Sequence, residues 1–124
     1  MSSAEFKTLR EASGLSIAEV AAMFSVDPRT VRHWESGRNA APKDRLDDIK
    51  AIDAHIDFLA NEAFNLYHKT KPEKALLYRF KNHENLLEAM PNFEWPINVH
   101  AVMLYRTKKL FDQKGIPVSI EYAD

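Results

Sequence analysis

The stretch SIAEVAAMFSVDPRTVRHWESG, residues 16–37, decides the fold. Ser16 with Glu19 three residues on has the spacing of a capping box, and Leu15 and Val20 stand where a hydrophobic staple would place them. A helix is expected from about Ser16 to Met23. Phe24, Ser25 and Val26 are too few for anything but a tight turn. Asp27 and Pro28 then read as the N-cap and first residue of the next helix, and Gly37 as its stop. Two short helices joined by a three-residue turn are the layout in which one lies across a phosphate backbone and presents the other to the major groove. On the second of them Val31 and Trp34 are three apart and point inward with Leu15, Val20 and Phe24, which leaves Arg29, Thr30, Arg32 and His33 outward. Arginine can donate twice to guanine O6 and N7, and histidine or threonine can meet a base edge or a phosphate. Pro28 can touch a thymine methyl. On an arbitrary helix these four side chains would be solvated surface; the turn before them and Gly37 after them make them base-reading candidates. Trp34 could be read as a base-stacking residue, but its spacing from Val31 makes it core.

Working outward, Ser2 and Glu5 repeat the capping-box spacing, Phe6, Leu9 and Ala12 form one apolar stripe, and Gly14 ends a first helix. Downstream, Lys43 to Tyr67 contains no glycine or proline. There Ile49, Ile52, Ile56, Leu59, Ala63 and Leu66 recur at alternating spacings of three and four, which predicts one long helix or two stacked ones. Its first half can cover the three helices before it, and the rest needs the C-terminal half as a partner surface. Lysine, threonine and proline from Lys69 to Pro72 mark a boundary. Beyond it, Ala75 to Phe80 reads as a strand, Asn82 to Met90 as a short helix ended by Pro91, and Pro96 to Gly115 as a longer helix with Ile97, Ala101, Leu104, Lys108 and Phe111 on one side. Ile116, Val118, Ile120 and Tyr122 alternate with Pro117, Ser119 and Glu121, the period of a half-buried strand. Two strands are marginal unless something adds strands or covers a face. The expected fold class is mainly α with a small α+β C-terminal part.

Composition narrows the function. There is no cysteine, so disulfides, thiol catalysis and cysteine-ligated zinc drop out and a cytoplasmic setting is expected. No apolar run approaches the roughly 20 residues of a membrane span. The net charge of −1 argues against nucleic acid as a whole. Between Arg29 and Arg45, however, six basic or imidazole side chains stand against Glu35 and Asp44, so one short stretch is basic inside a neutral chain.

Leu9-Arg10, Gly14-Leu15-Ser16, Glu19-Val20-Ala21 and Thr30-Val31-Arg32-His33-Trp34-Glu35-Ser36-Gly37 resemble the Xre/Cro family of bacterial and phage repressors over about residues 4–45. The resemblance implies a lambda-repressor-like helix-turn-helix domain on double-stranded DNA. It also implies an ion pair between Arg10 and Glu35, base reading by Arg29, Arg32 and His33, and phosphate contacts from Ser36, Arg38, Asn39 and Lys43. Ile17 departs from the family, which usually has there a glutamine that bridges the recognition helix to a phosphate; binding would lean more on Arg38 and Lys43. Leu77-Tyr78-Arg79-Phe80 and Val102-Met103-Leu104-Tyr105 look like the dimerisation domain of anti-CRISPR-associated autorepressors of phages and mobile elements, over about residues 70–124. That implies a homodimer on an inverted repeat over its own promoter, with recognition helices one DNA turn, ~34 Å, apart. A single recognition helix buries too little DNA surface for operator-grade affinity, and two linked modules make the second contact intramolecular. The division expected is 1–68 for DNA binding and 69–124 for dimerisation.

Other readings weigh less. His55, His68, His83 and His100 are scattered, and Asp53, His55 and Asp57, two apart on a helix, do not converge, so no metal is expected. Glu84, Glu88 and Glu94 come with no nucleophile, glycine-rich loop or cofactor fingerprint, so neither a cofactor nor enzymatic activity is expected. The lysines and His68 between residues 68 and 81, with Tyr78 and Phe80 interleaved, would suit RNA, although a basic face beside a packed strand is the simpler account. An antitoxin would share the DNA-binding part and use its C-terminal half to mask a toxin. A protein-interaction module that has lost DNA binding is the remaining alternative, supported by Ile17.

Overall fold

The computed structural model describes residues 2–70 and 75–123. Its elements run α1 (Ser3–Ala12), α2 (Ile17–Phe24), α3 (Pro28–Ser36), α4 (Lys43–Thr70), β1 (Ala75–Arg79), α5 (His83–Ala89), α6 (Ile97–Gln113) and β2 (Val118–Tyr122). The architecture is mainly helical, with a small two-stranded parallel sheet in the C-terminal part. The chain packs as two compact units, up to His55 and from Ile56 onward. α4 therefore contributes its first half to one core and its second half to the other, as its long apolar stripe leads one to expect. Residues 71–74, over which much of the expected boundary falls, lie outside the described residues.

In the first unit the helix ends follow from local chemistry. The Ser2 hydroxyl accepts from the Glu5 amide at 3.1 Å and the Glu5 carboxylate accepts from the Ser2 amide at 3.4 Å. Ser16 and Glu19 repeat the exchange at 3.0 and 2.8 Å. Gly14 and Gly37 take positive φ, 79° and 83°, at the two helix stops. Phe6, Leu15, Val20, Val31, Trp34 and Ile49 are buried. Phe6 meets the Trp34 ring edge-on with centroids 5.8 Å apart, and Phe24 lies at 6.4 Å. On α1 the stripe differs from expectation: Ala12 is exposed and Arg10 is buried. A charged side chain takes an inward position there because every strong donor it brings finds an acceptor, as described below.

Ser25, in the turn between α2 and α3, adopts the left-handed conformation (φ 54°, ψ 44°) without being glycine. The Cβ strain of that region is roughly 1 to 2 kcal/mol, against roughly 0.5 to 1 kcal/mol of extra chain entropy that glycine must lose. Ser25→Gly is thus expected to stabilise the protein by about 0.5 kcal/mol, read as a higher urea midpoint at unchanged m-value.

In the second unit Phe64, Ala75 and Phe111 form a core, joined by Tyr67, Leu110, Ile116 and Val118. Phe64 and Tyr67 both meet the Phe111 ring edge-on, at 4.9 and 4.8 Å. Here two stripes depart from the spacing read in sequence. On α4 the buried row runs Ile52, Ile56, Ala60, Phe64, while Leu66 is exposed. On α6 the buried face comprises Val99, His100, Met103, Leu104, Thr107 and Phe111, so Leu104 and Phe111 of the expected stripe are in place while Ile97, Ala101 and Lys108 are half-buried. From Ile52 onward the α4 row steps by four, along the inclined ridge by which helices commonly interdigitate, whereas alternating threes and fours describe a stripe parallel to the axis. Thr107 is tolerated at its core position because its hydroxyl donates to the Met103 carbonyl at 2.8 Å. β1 and β2 pair in parallel, Ala75 opposite Val118 through Arg79 opposite Tyr122. β2 does not show the clean alternation expected: Val118, Ser119 and Ile120 are all half-buried, and Glu121 and Tyr122 are exposed.

His100 is 3% exposed and wedged between Phe80 and Phe93, with ring centroids at 5.3 and 5.7 Å. Burial, and next the charge of Arg79, hold its pKa below the ordinary histidine value near 6.5. A native pKa below the unfolded one means that the unfolded chain takes up the proton first as pH falls. Stability is therefore complete above about pH 6.5 and declines through the window beneath it. Thermal melts at pH 7.5 and 5.5 check this: wild type should lose more than a His100→Phe variant over the same interval.

Candidate nucleic-acid interface

The site is built on α3, whose start is held by its own chemistry. Asp27 caps it by accepting from the Arg29 amide at 2.8 Å, and Pro28 occupies the first turn, where a missing N–H does no harm. Val31 and Trp34 fasten the helix to the core at 0% and 6% exposure. With that face fixed, Pro28, Arg29 and Arg32 are exposed and Thr30 and His33 are half-exposed. The side chains expected to read bases thus share the solvent side of one short helix anchored along its other side.

Glu35 would place a carboxylate beside them, but Arg10 neutralises it. Arg10 Nε and Nη2 donate to Glu35 Oε2 and Oε1 at 2.5 and 3.0 Å, and Arg10 Nη1 donates to the Leu15 carbonyl at 2.9 Å. The two side chains are only 10% and 6% exposed. The hydrogen bond to Glu35 raises the Arg10 pKa above its already high ordinary value, against the lowering effect of burial. Such a bidentate pair fixes orientation as well as charge. It ties α1 to the last turn of α3 and leaves the charge of the outer side to Arg29, Arg32 and the loop that follows.

That loop turns at Gly37. The Ser36 hydroxyl donates to the His33 carbonyl at 3.3 Å and accepts from the Arg38 amide at 3.4 Å, and the Asn39 amide donates to the His33 carbonyl at 3.2 Å. The Asn39 side-chain nitrogen lies 3.5 Å from His33 Nδ1. Ser36, Arg38 and Asn39 are exposed beside the end of α3. At φ 83° residue 37 lies in the left-handed region, which is why glycine serves there, since a Cβ would only come into ordinary contact with the Ser3 hydroxyl at 3.4 Å. Lys43 opens α4, fully solvated, with its ammonium 3.3 Å from Asp47. Such an exposed pair is weak and exchanges readily for another anion. Ile17, where the bridging glutamine was missed, is half-buried in the first turn of α2.

One contribution was not read in sequence. Arg45, counted among the basic residues, lies over the Phe24 ring at 4.8 Å and pairs with Asp48 at 3.2 Å, so it braces the join of α2 to α4. The three-residue spacing to Asp48 was visible; the approach to Phe24 needed the fold. Asp27, read in sequence as the N-cap, also places a carboxylate at the start of α3. Elsewhere, Asp57 pairs with Arg106 at 2.9 Å. Among the described residues no group of three or more histidines and carboxylates could hold a metal ion, and no helix is long and apolar enough to cross a membrane. Of the basic stretch considered for RNA, residues 71–74 lie outside the described residues, and Phe80 is turned against His100 instead of outward.

No curated protein matches the chain. Residues 3–63 match the family model described as a helix-turn-helix domain, and the N-terminal part of this chain is a helix-turn-helix domain.

Proposed function

We propose that this protein is a cytoplasmic, sequence-specific DNA-binding repressor of the Xre/Cro type, a homodimer that occupies an inverted-repeat operator and silences its own promoter by steric exclusion. Residues 1–68 carry DNA binding and 69–124 carry dimerisation, in the manner of anti-CRISPR-associated autorepressors. The observation that carries this reading is the outer side of α3. Arg29, Arg32 and His33 project from a helix pinned by Val31 and Trp34, and the carboxylate on that helix is cancelled by Arg10. Arg29, Thr30, Arg32, His33 and Pro28 address base edges, and Ser36, Arg38, Asn39 and Lys43 address phosphates.

The two classes of contact separate experimentally. The operator is first obtained by sequencing duplexes selected by the purified protein. Arg29→Ala should then weaken operator binding by ~1 to 3 kcal/mol and relax preference at one base-pair position. Lys43→Ala should weaken all duplexes about equally and flatten the slope of affinity against salt. Titration of labelled operator and scrambled duplex at several salt concentrations checks both. Normal operator affinity in Arg29→Ala would remove that residue as a reader, and wild type that ignores every duplex at low salt would end the proposal.

A further inference from the structure

The sheet of the second unit holds two strands among the described residues, so β2 has one side bonded to β1 and one side open. A two-stranded sheet is marginal, and an open strand edge is a template for another strand. In a parallel ladder a given residue turns both its N–H and C=O toward the same neighbour, and alternate residues turn them the other way. With Arg79 opposite Tyr122, the Ala123 amide donates to the Arg79 carbonyl at 2.9 Å. That phase gives the backbone groups of Ser119 and Glu121 to β1 and turns those of Val118, Ile120 and Tyr122 to the open side.

Resting on the homodimer reading above, we propose that this open edge pairs antiparallel with the same edge of a second copy, about a two-fold axis at Ile120, to make a four-stranded sheet in the order β1-β2-β2-β1. The register follows from the residues. An axis at Ile120 sets Ile120 against Ile120, Val118 against Tyr122 and Ser119 against Glu121, so all five residues of β2 are paired and the outward-turned backbone groups of 118, 120 and 122 meet one another. An axis at Glu121 would set two carboxylates face to face, and an axis at Ser119 would set Glu121 and Tyr122 opposite Pro117 and Ile116, outside the strand, so that only three residues of β2 pair with their counterparts. With the axis at Ile120 an aromatic residue lies against a β-branched one, and the Ser119 hydroxyl, which donates to Glu121 of its own strand at 3.0 Å, gains a second carboxylate within reach. A two-fold contact needs a surface complementary to itself, which this strand is. The outer edge of β1 suits a copy less well. Its self-pairing about Leu77 would set Arg79 against Ala75, which is 4% exposed in the core with Phe64 and Phe111.

The absence of cysteine from the chain gives a clean test. Ser119→Cys and Glu121→Cys lie on the side of the sheet away from Ile120, and circular dichroism and sedimentation should show each folded as wild type. Treated with oxidised glutathione, a co-expressed mixture of the two should give at least about ten times more covalent dimer than either variant alone. Within one variant the thiols would sit two positions out of register, at a separation of roughly 7 Å or more that a disulfide does not span. Wild type sedimenting only as a monomer at micromolar concentration would overturn the homodimer reading and this inference with it. A dimeric wild type whose mixture does not cross-link, or cross-links no better than the single variants, would overturn the β2 contact and leave the homodimer standing.

Discussion

Arg10→Met is expected to remove about 3 to 5 kcal/mol of stability from the first unit, the largest loss expected from a single charged side chain among the described residues. Arg10 makes two bonds to Glu35 and one to the Leu15 carbonyl, and all three groups are withdrawn from water. Methionine fills much of the same volume but strands the Glu35 carboxylate, 6% exposed, without its cation. The penalty thus reflects the ion left behind more than the bond removed. Arg10→Met combined with Glu35→Leu should recover most of it, since two apolar side chains leave no buried charge. Urea unfolding followed by tryptophan fluorescence measures the four corners of this cycle. A single-variant loss below about 1 kcal/mol would put the pair in the class of ordinary surface contacts.

Trp34→Ala should be comparably damaging, at about 3 to 5 kcal/mol, through the cavity it opens. The indole meets Phe6 edge-on, lies near Phe24 and is 6% exposed at the centre of the three-helix contact. Because α3 is the helix proposed above to read DNA, base stacking is an alternative role for its tryptophan, and the two roles give opposite signatures. As a core residue, Trp34→Phe should unfold more easily than wild type yet bind operator within about two-fold wherever it is folded. As a stacking residue it would melt normally and bind poorly. Melting curves together with operator titrations at 10 °C distinguish them.

The first unit was legible in the chain because its helix ends are written as local chemistry. Two Ser-x-x-Glu boxes, an Asp-Pro entry and glycines at the stops act within a few residues, and each stands where expected. What failed needed distant partners. Ala12 resembles a buried position by spacing, but the side chain that goes in is Arg10, because Glu35, 25 residues away, is there to receive it. That pair was anticipated from family likeness and not from spacing. The α4 stripe follows its expected rhythm as far as Ile56 and then changes to steps of four in the half of the helix that belongs to the second unit. The direction of strand pairing likewise depends on the α5 and α6 crossover between β1 and β2, which no alternation of apolar residues encodes.

The beginning of α3 has a consequence for how an anion can approach it. Helix starts usually welcome phosphate, since their first amides are unspent and their dipole is positive. At this one Pro28 has no amide proton, the Arg29 amide is bonded to the Asp27 carboxylate, and the Thr30 amide is bonded to the Asp27 carbonyl at 2.9 Å. A sugar-phosphate strand drifting to that tip would meet the Asp27 carboxylate and no vacant amide among these three, leaving only side chains such as Arg29 to receive it. With these amides already bonded, phosphate contacts under the DNA-binding reading proposed above fall to side chains, foremost the exposed Ser36, Arg38 and Asn39 beyond the other end of the helix.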